Sequence, residues 1–328
     1  NSQSVSRSPD VYLSGAMRFR SRSSEVVGAA KVRHSGSRNI LATAYAAAGI
    51  ECLKLVSGTF VAIVVDRTAK TALVFNDPVG MERLLTYERD GIVGFSNDAR
   101  LILRAFPGAR EFDPDGLSRF LTYGSTYGSV SLFSGVGVIP PGTYFDLRPG
   151  SDWKPRAYND LKAPAAGTKS NLEDFVVEFC ETLIRIVADY ARDFDSLGLS
   201  LTGGVDSRLV LAAMLNLGLR PVCYTFGSEY RTTFDVSTAR SLAELAGVKH
   251  AEIPLGTDFL TRVREYLPQA IGRSQGGLGF PGAAELYLNE TASKVANARI
   301  TGNYGGEALR GARIYGSKLP RGDFVRHG

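Results

Sequence analysis

The stretch "LGLSLTGGVDSRLVLAAML", Leu197 to Leu215, decides how the second half of this chain is read. Leu197 to Leu201 alternates large apolar residues with small ones, the pattern of a short strand. From Asp206 onward, Leu209, Val210, Ala213 and Met214 recur at helical spacing. Thr202, Gly203, Gly204 and Val205 lie between them as a strand-to-helix turn. Glycine lets a backbone approach a ligand closely, and the first turn of a helix offers N–H groups without partners, which suits an anion. Ser207 can add a hydroxyl donor, and Asp206 places a carboxylate beside the turn, which makes sense if magnesium lies between acid and phosphate. No Gly-Lys-Ser/Thr follows, so the turn is not a Walker loop. The same residues also make an ordinary capped helix start, and the hexapeptide alone leaves the two readings level.

Outward from this turn, helices and strands alternate. "LEDFVVEFCETLIRIVADYA" (172–191) predicts a helix, "PVCYTF" (221–226) a strand, and "DVSTARSLAELAG" (235–247) a helix closed by Gly247. "KHAEIPL" (249–255) predicts a strand, and two helical stretches follow at 258–266 and 283–298. "ARITG" (298–302) is a strand entering a second glycine-rich turn, "TGNYGGE". This rhythm predicts a parallel sheet, with ligands at the carboxyl ends of its strands. The first half has another rhythm. "TFVAIVVD", "TALVFND", "RLLTYE" and "GIVGFS" alternate with period two and predict an antiparallel meander, its last two strands joined by Arg89-Asp90 before Gly91. Helices are expected from Asn97 or Asp98 to Ala105, and from Asp113, where Pro114 follows the cap. "GTYFDL" (142–147) is a last strand, and Arg148 to Ser170, rich in Pro, Gly and Ala, is a linker. The expected organisation is an α/β chain of two domains, 1–150 and 170–328, joined by a linker at 151–169.

Composition sets outer limits. With 44% hydrophobic and 22% charged residues, the chain has enough apolar material for packed cores. Its net charge of +5 comes with no dense Lys/Arg block, so nucleic acid is not an expected partner. No apolar run reaches the ~18 residues of a membrane span, and no secretory signal is visible, so a cytoplasmic protein is expected. Cys52, Cys180 and Cys223 form no CxxC or CxxH pattern, against zinc and against a disulfide framework.

Larger matches carry a resemblance. "TGGVDS" resembles the SGGxDS pyrophosphate loop of the ATP pyrophosphatases, and the chain as a whole resembles the asparagine synthetase family. "SGTFVAIVVDRTAKTALVFNDPVGMERLLTY" is similar to that family's "NGMFAFALWD…LFLARDRFGIKPLYY", and "LFSGVGVIPPGTYFDL" to its "LFxGVxxLPPGxxL". "YTFG" at Tyr224 to Gly227 resembles "FSIGF", and "TGNYGGEALRG" resembles "SGEGADELFGG". Order and approximate spacing agree from Asn39 to Gly311. The resemblance implies an amidotransferase-like first domain of the N-terminal-nucleophile type and an adenine-nucleotide-hydrolase-like second domain. It implies ATP and Mg2+. Leu201, Thr202, Gly203, Gly204, Val205, Asp206, Ser207, Phe226 and Gly302 would bind ATP and pyrophosphate. Asp206, Asn303 and Glu307 would be catalytic, and Asp206 and Glu307 would hold the metal.

The implied reaction is amide formation: a carboxylate is activated as an acyl-adenylate with release of pyrophosphate, and an amine or ammonia then displaces AMP. The partners are therefore a small carboxylate and an amine donor, and a homodimer is compatible with this reading. The departures matter as well. The family's glutaminase nucleophile is an N-terminal cysteine, whereas the sequence here starts at Asn1 with Cys52 as its first cysteine, so no glutaminase activity is expected. The family's "NGEIYN" loop has no clear counterpart before Asn39. Gly306 stands where the second motif has an aspartate, and Lys318 lies too close to that motif to be the family's catalytic lysine, so the second domain looks incomplete at its C-terminal end. His250 reads as structural, and Arg208, Arg310 and Arg313 as surface residues or phosphate contacts. Relatives without a glutaminase close β-lactams or macrocycles with an internal amine, and that reading stands as an alternative. So does a degenerate nucleotide-binding protein. A tRNA-modifying enzyme would bring RNA-binding attachments or reactive cysteine pairs, which the chain lacks.

Overall fold

The computed structural model describes residues 9–19, 37–159, 171–194 and 196–303. Its contacts divide the chain into two units. The first runs to Gly167 and includes Gly272–Gly277; the second holds Thr168–Ile271 and the chain from Leu278 onward.

The first unit contains strands β1 (Asp10–Phe19), β2 (Val56–Asp66), β3 (Thr71–Asn76), β4 (Leu85–Arg89), β5 (Ile92–Ser96), β6 (Val136–Val138), β7 (Thr143–Leu147) and β8 (Arg156–Ala157). Its helices are α1 (Ser37–Ala48), α2 (Ala99–Ala105) and α3 (Pro114–Tyr123). One sheet has the order β1-β2-β3-β7-β8 and the other β5-β4-β6, and every pairing in them is antiparallel. Period-two alternation explains the layering. Phe60, Ala62 and Val64 of β2 pack under Leu41 and Ala44 of α1. Val61 and Ile63, on the opposite face, pack with Leu84, Phe95 and Ile139 from around the second sheet. The far face of that sheet, Leu85, Tyr87 and Val136, covers Ala99 and Ile102 of α2. The result is helix on sheet on sheet on helix, the expected antiparallel layered domain. The turn between β4 and β5 has both Asp90 (φ 52°) and Gly91 (φ 74°) in the left-handed region, as a two-residue hairpin turn of this hand requires.

The second unit contains α4 (Leu172–Asp193), β9 (Leu197–Ser200), α5 (Val205–Asn216), β10 (Val222–Ser228), α6 (Phe234–Ala246), β11 (His250–Leu255), α7 (Thr257–Ser274), α8 (Phe280–Ala292) and β12 (Ala298–Ile300). Its four strands are parallel in the order β11-β10-β9-β12. Leu199 and Cys223 face a core shared with α4, α5 and α6. Tyr224 and Ile253 face the other way, into a core with α7 and α8. Both faces of the sheet are thus covered, as a parallel sheet requires.

Several elements differ from the sequence reading. β1, α1 and β6 were not foreseen, and Arg156–Ala157, inside the stretch read as linker, pair with β7. Helix α7 was expected to end at Tyr266 but runs through Pro268 to Ser274. Tyr266 and Ala270 are buried on either side of that proline, so packing outweighs the lost backbone bond. Helix α8 begins at Phe280 and stops at Ala292, earlier than expected, leaving a short turn before β12.

One buried acid in the first unit was not singled out from sequence. Asp77 is 0% exposed and its carboxylate accepts the N–H groups of Phe60 (3.3 Å), Val79 (2.9 Å), Met81 (3.1 Å) and Glu82 (2.9 Å). Its own carbonyl accepts from Gly80 and Gly142. Asp77→Ala strands these donors, and an unpaired buried donor costs roughly 1–3 kcal/mol. Urea unfolding of the full chain is expected to show a loss of at least about 2 kcal/mol; a loss below about 0.5 kcal/mol would show that water replaces the carboxylate.

Candidate functional site

Strand order in the second unit reverses at β9: β10, next in sequence, lies on one side and β12 on the other. The crevice at the carboxyl ends of β9 and β12 is therefore the place where a sheet of this kind binds ligands. A cleft of about 470 Å³ opens there, lined by Ser200, Thr202, Gly204, Asp206, Ser207, Phe226, Arg299, Thr301, Gly302 and Asn303.

The turn between β9 and α5 is built from its own side chains. The Ser207 hydroxyl accepts the Thr202 N–H at 3.1 Å and lies 3.1 Å from the Thr202 hydroxyl. It can donate to the carbonyl of Thr202 or of Gly204, each at 3.3 Å. Ser207 is only 4% exposed. Its hydroxyl therefore closes the turn and is not the open donor that the sequence suggested. The Gly203 N–H donates to Asp235 Oδ1 at 2.9 Å, and the Gly204 N–H to the Thr202 hydroxyl at 3.1 Å. Those two amides are committed within the protein. The helix itself starts at Val205 on Gly204, with no side-chain cap. The first turn of an α-helix carries N–H groups without intrahelical partners, and the positive end of its dipole favours an anion. Gly204 stands at the N-cap without a side chain, and Ser207 instead closes the turn that precedes the helix.

The structure brings Thr202, Gly204, Asp206, Ser207, Phe226, Gly302 and Asn303 to one cleft. Leu201 is buried in the core beneath it, its carbonyl accepting from Thr225 Oγ1 at 2.8 Å. Gly203 and Val205 belong to the turn but do not line the cleft. Glu307 lies outside the described residues, as do Gly306, Arg310 and Arg313. Arg208 turns back onto its own helix start, its Nε donating to the Gly204 carbonyl at 3.2 Å. His250 Nε2 meets Thr225 Oγ1 at 2.8 Å, and burial lowers its pKa, which fits a structural role. Sequence reasoning missed Asp235, which follows the uninformative "YRTTF", and Arg299, an arginine within a strand; neither carries a local signal.

The donor set fits a nucleotide. The cleft lies within the several-hundred-Å³ range of small-molecule sites. It combines an uncapped helix start, an aromatic ring at Phe226 and the acid of Asp206. Among the described residues no three His, Cys, Asp or Glu side chains converge to hold a metal alone. Magnesium there would take Asp206 together with phosphate oxygens, the usual division for an ion that needs few protein ligands. In the first unit, Cys52 is buried and burial pushes its thiol up to about 12, so it remains protonated and is no nucleophile. Among the described residues no helix is long and apolar enough to cross a membrane.

Comparison with known proteins places residues 21–158 in a glutamine amidotransferase domain family and residues 178–322 in the asparagine synthase family. The first match begins before Asn39, so the likeness extends further toward the N-terminus than the sequence motifs indicated. Asparagine synthetase [glutamine-hydrolyzing] 1 of Bacillus subtilis (strain 168) is 21% identical over 277 residues, covering 84% of this chain. The chain spans 43% of the length of that relative. Among solved structures, the glutamine-dependent NAD+ synthetase of Acinetobacter baumannii in complex with ADP is 16% identical with a TM-score of 0.32, over 79% of this chain and 60% of that one. The NH3-dependent NAD synthetase of Campylobacter jejuni is 18% identical with a TM-score of 0.32, over 43% and 61%.

The approach of β12 to the helix start generates a prediction. A Cβ on Gly302 would lie 2.5 Å from Ser207 N and 2.6 Å from Asp206 C, both backbone atoms of the first helical turn. No side-chain movement relieves such contacts. Gly302→Ala is expected to lower stability by about 1–3 kcal/mol, the usual cost of overpacking. Thermal melting measures it, and a melting temperature equal to that of the parent chain would show that the two segments are not held this close in solution.

Proposed function

The chain belongs to the asparagine synthetase family, and from that premise we propose that its second unit binds ATP and forms amides by way of an acyl-adenylate. The observation that carries the reading is the uncapped start of α5 opening into the cleft where the strand order reverses. In this reading the phosphates of ATP lie at the N-terminus of α5, whose partial positive charge favours them. Phe226 borders the adenosine. Gly302 and Asn303 form the wall opposite the helix start. Thr202 and Ser207 hold the turn in place, so little reorganisation is needed when the anion arrives.

The chemistry asked of the protein is positioning and charge stabilisation. A substrate carboxylate oxygen forms a bond to the α-phosphorus of ATP as the bond to pyrophosphate breaks. An amine or ammonia then attacks the acyl carbon and AMP leaves with the bonding electron pair. Magnesium, when bound, supplies neutralisation of the pyrophosphate charge. Asp206 would hold it from the cleft wall, Asp235 stands beside the turn as a further acid, and Glu307 is the second acid named from the motif. Cys52 takes no part, because its thiol stays protonated and enclosed. The substrates of this reaction are a small carboxylate and an amine donor.

Asp206→Ala tests the assignment. Losing one charge-assisted contact costs on the order of 1.5–3 kcal/mol, a roughly ten- to hundredfold loss of affinity. Calorimetric titration of Mg-ATP into both proteins is expected to show that loss, with melting temperatures within a few degrees of each other. Equal ATP affinities would remove Asp206 from the site. A parent chain that binds no Mg-ATP would overturn the nucleotide reading.

A further inference from the structure

Arg299 lies in the middle of β12, opposite Gly198 of β9, and its side chain is 25% exposed. Its Nη1 donates to Glu285 Oε1 and, at 2.6 Å, to Asn289 Oδ1, both on α8. Nη2 reaches the Ser200 hydroxyl only at 3.4 Å, the outer limit of a hydrogen bond. Nε is buried and has no hydrogen-bond partner among the described residues. The guanidinium carbon sits 5.0 Å from the centre of the Phe226 ring. Arg299, Ser200 and Phe226 all line the cleft.

This arrangement restricts what the arginine can bind. Two-pronged recognition of a carboxylate or phosphate needs two parallel N–H groups on one edge of the guanidinium. Here Nη1 is taken by α8 and Nε is enclosed, so Nη2 is the one donor group with capacity toward the cleft. The charge is also compensated, because Glu285 is ion-paired to the same group. What remains is a fixed donor in a nearly neutral pair, next to an aromatic ring. Such a donor suits a neutral acceptor better than an anion, whereas the start of α5 supplies the positive end of a helix dipole.

We propose that Arg299 recognises the base of the bound nucleotide, donating from Nη2 to an acceptor nitrogen of the purine ring beside Phe226. The inference rests on the nucleotide reading of the cleft and deepens it. It assigns the β12 side of the crevice to the nucleoside and the α5 side to the phosphates. Glu285 and Asn289 become positioning residues, which hold the guanidinium without touching the ligand.

The test compares the parent chain with Arg299→Met and Arg299→Lys by calorimetry, using AMP, Mg-ATP and Mg-pyrophosphate as probes. Both variants are expected to lose about tenfold in affinity for AMP and for Mg-ATP, and to bind Mg-pyrophosphate as the parent does. Lysine keeps the charge opposite Glu285 but not the fixed planar donor, so it carries the test if the methionine variant fails to fold. A variant weakened for Mg-pyrophosphate, or a lysine variant that binds AMP like the parent, would show that charge and not base recognition is the role of Arg299. Unchanged AMP and Mg-ATP affinities in both variants would remove Arg299 from the site altogether. A parent chain that binds Mg-pyrophosphate but neither nucleotide would sink the base assignment while leaving the anion site standing. A parent chain that binds none of the three would overturn the nucleotide reading and this inference with it.

Discussion

The second unit depends on one close approach: Gly302, just past β12, lies against the backbone of Asp206 and Ser207 in the first turn of α5. Parallel strands place β9 and β12 side by side, and their ends must diverge to leave room for a ligand. The glycine sets how far they diverge. On the other side of the same helix start, the Ser207 hydroxyl draws Thr202 inward and fixes the path of the chain from strand to helix. The first turn of α5 is thereby held at one orientation between two walls. An oriented dipole that need not reorganise is worth more to an arriving anion than the same groups in a mobile loop.

The polar groups of this cleft divide by what already satisfies them. Thr202, Gly203 and Gly204 have their N–H groups bonded within the protein, to Ser207, Asp235 and Thr202 respectively. These bonds define the shape of the turn. The helix start has no side-chain cap, and Arg299 keeps a donor whose one partner is distant. Groups of this second kind are where a ligand gains most, because an incoming acceptor completes bonds the fold leaves open. Glycines in a phosphate-binding sequence are easily taken as the contacts themselves. In this turn they give the chain its path, and their N–H groups are bonded within the protein.

In the first unit a buried carboxylate does comparable work with no ligand in prospect. Asp77 gathers the backbone of β2 and of the loop that follows β3, and its carbonyl ties in Gly142 ahead of β7. Four N–H donors surround this carboxylate and supply the positive end of each bond. This explains how the chain can turn from one sheet toward the other at a place with no regular structure. The enclosed thiol of Cys52 shows the opposite condition: apolar surroundings with no donor hold it protonated.

The sequence by itself determined the periodicities, and with them most of the fold. Alternation at Phe60 to Val64 and helical spacing from Leu209 to Met214 are local properties, written in the order of residues. The meander, the parallel sheet and the crevice at the ends of β9 and β12 follow from them, whereas the grouping of Thr202, Asp206, Phe226 and Asn303 was what the family resemblance implied. The tertiary structure decided which atom meets which. Whether Ser207 faces a ligand or closes its own turn depends on a 3.1 Å contact with Thr202 that no spacing rule contains. Asp235 reaches Gly203 across 32 positions, and Arg299 reaches Ser200 across 99. Such contacts join elements that the folded sheet brings together, so a reading along the chain had no means to find them. Helix α7 passes Pro268 for the same reason: burial of Tyr266 and Ala270 outweighs a local rule, and burial exists only once the chain has folded.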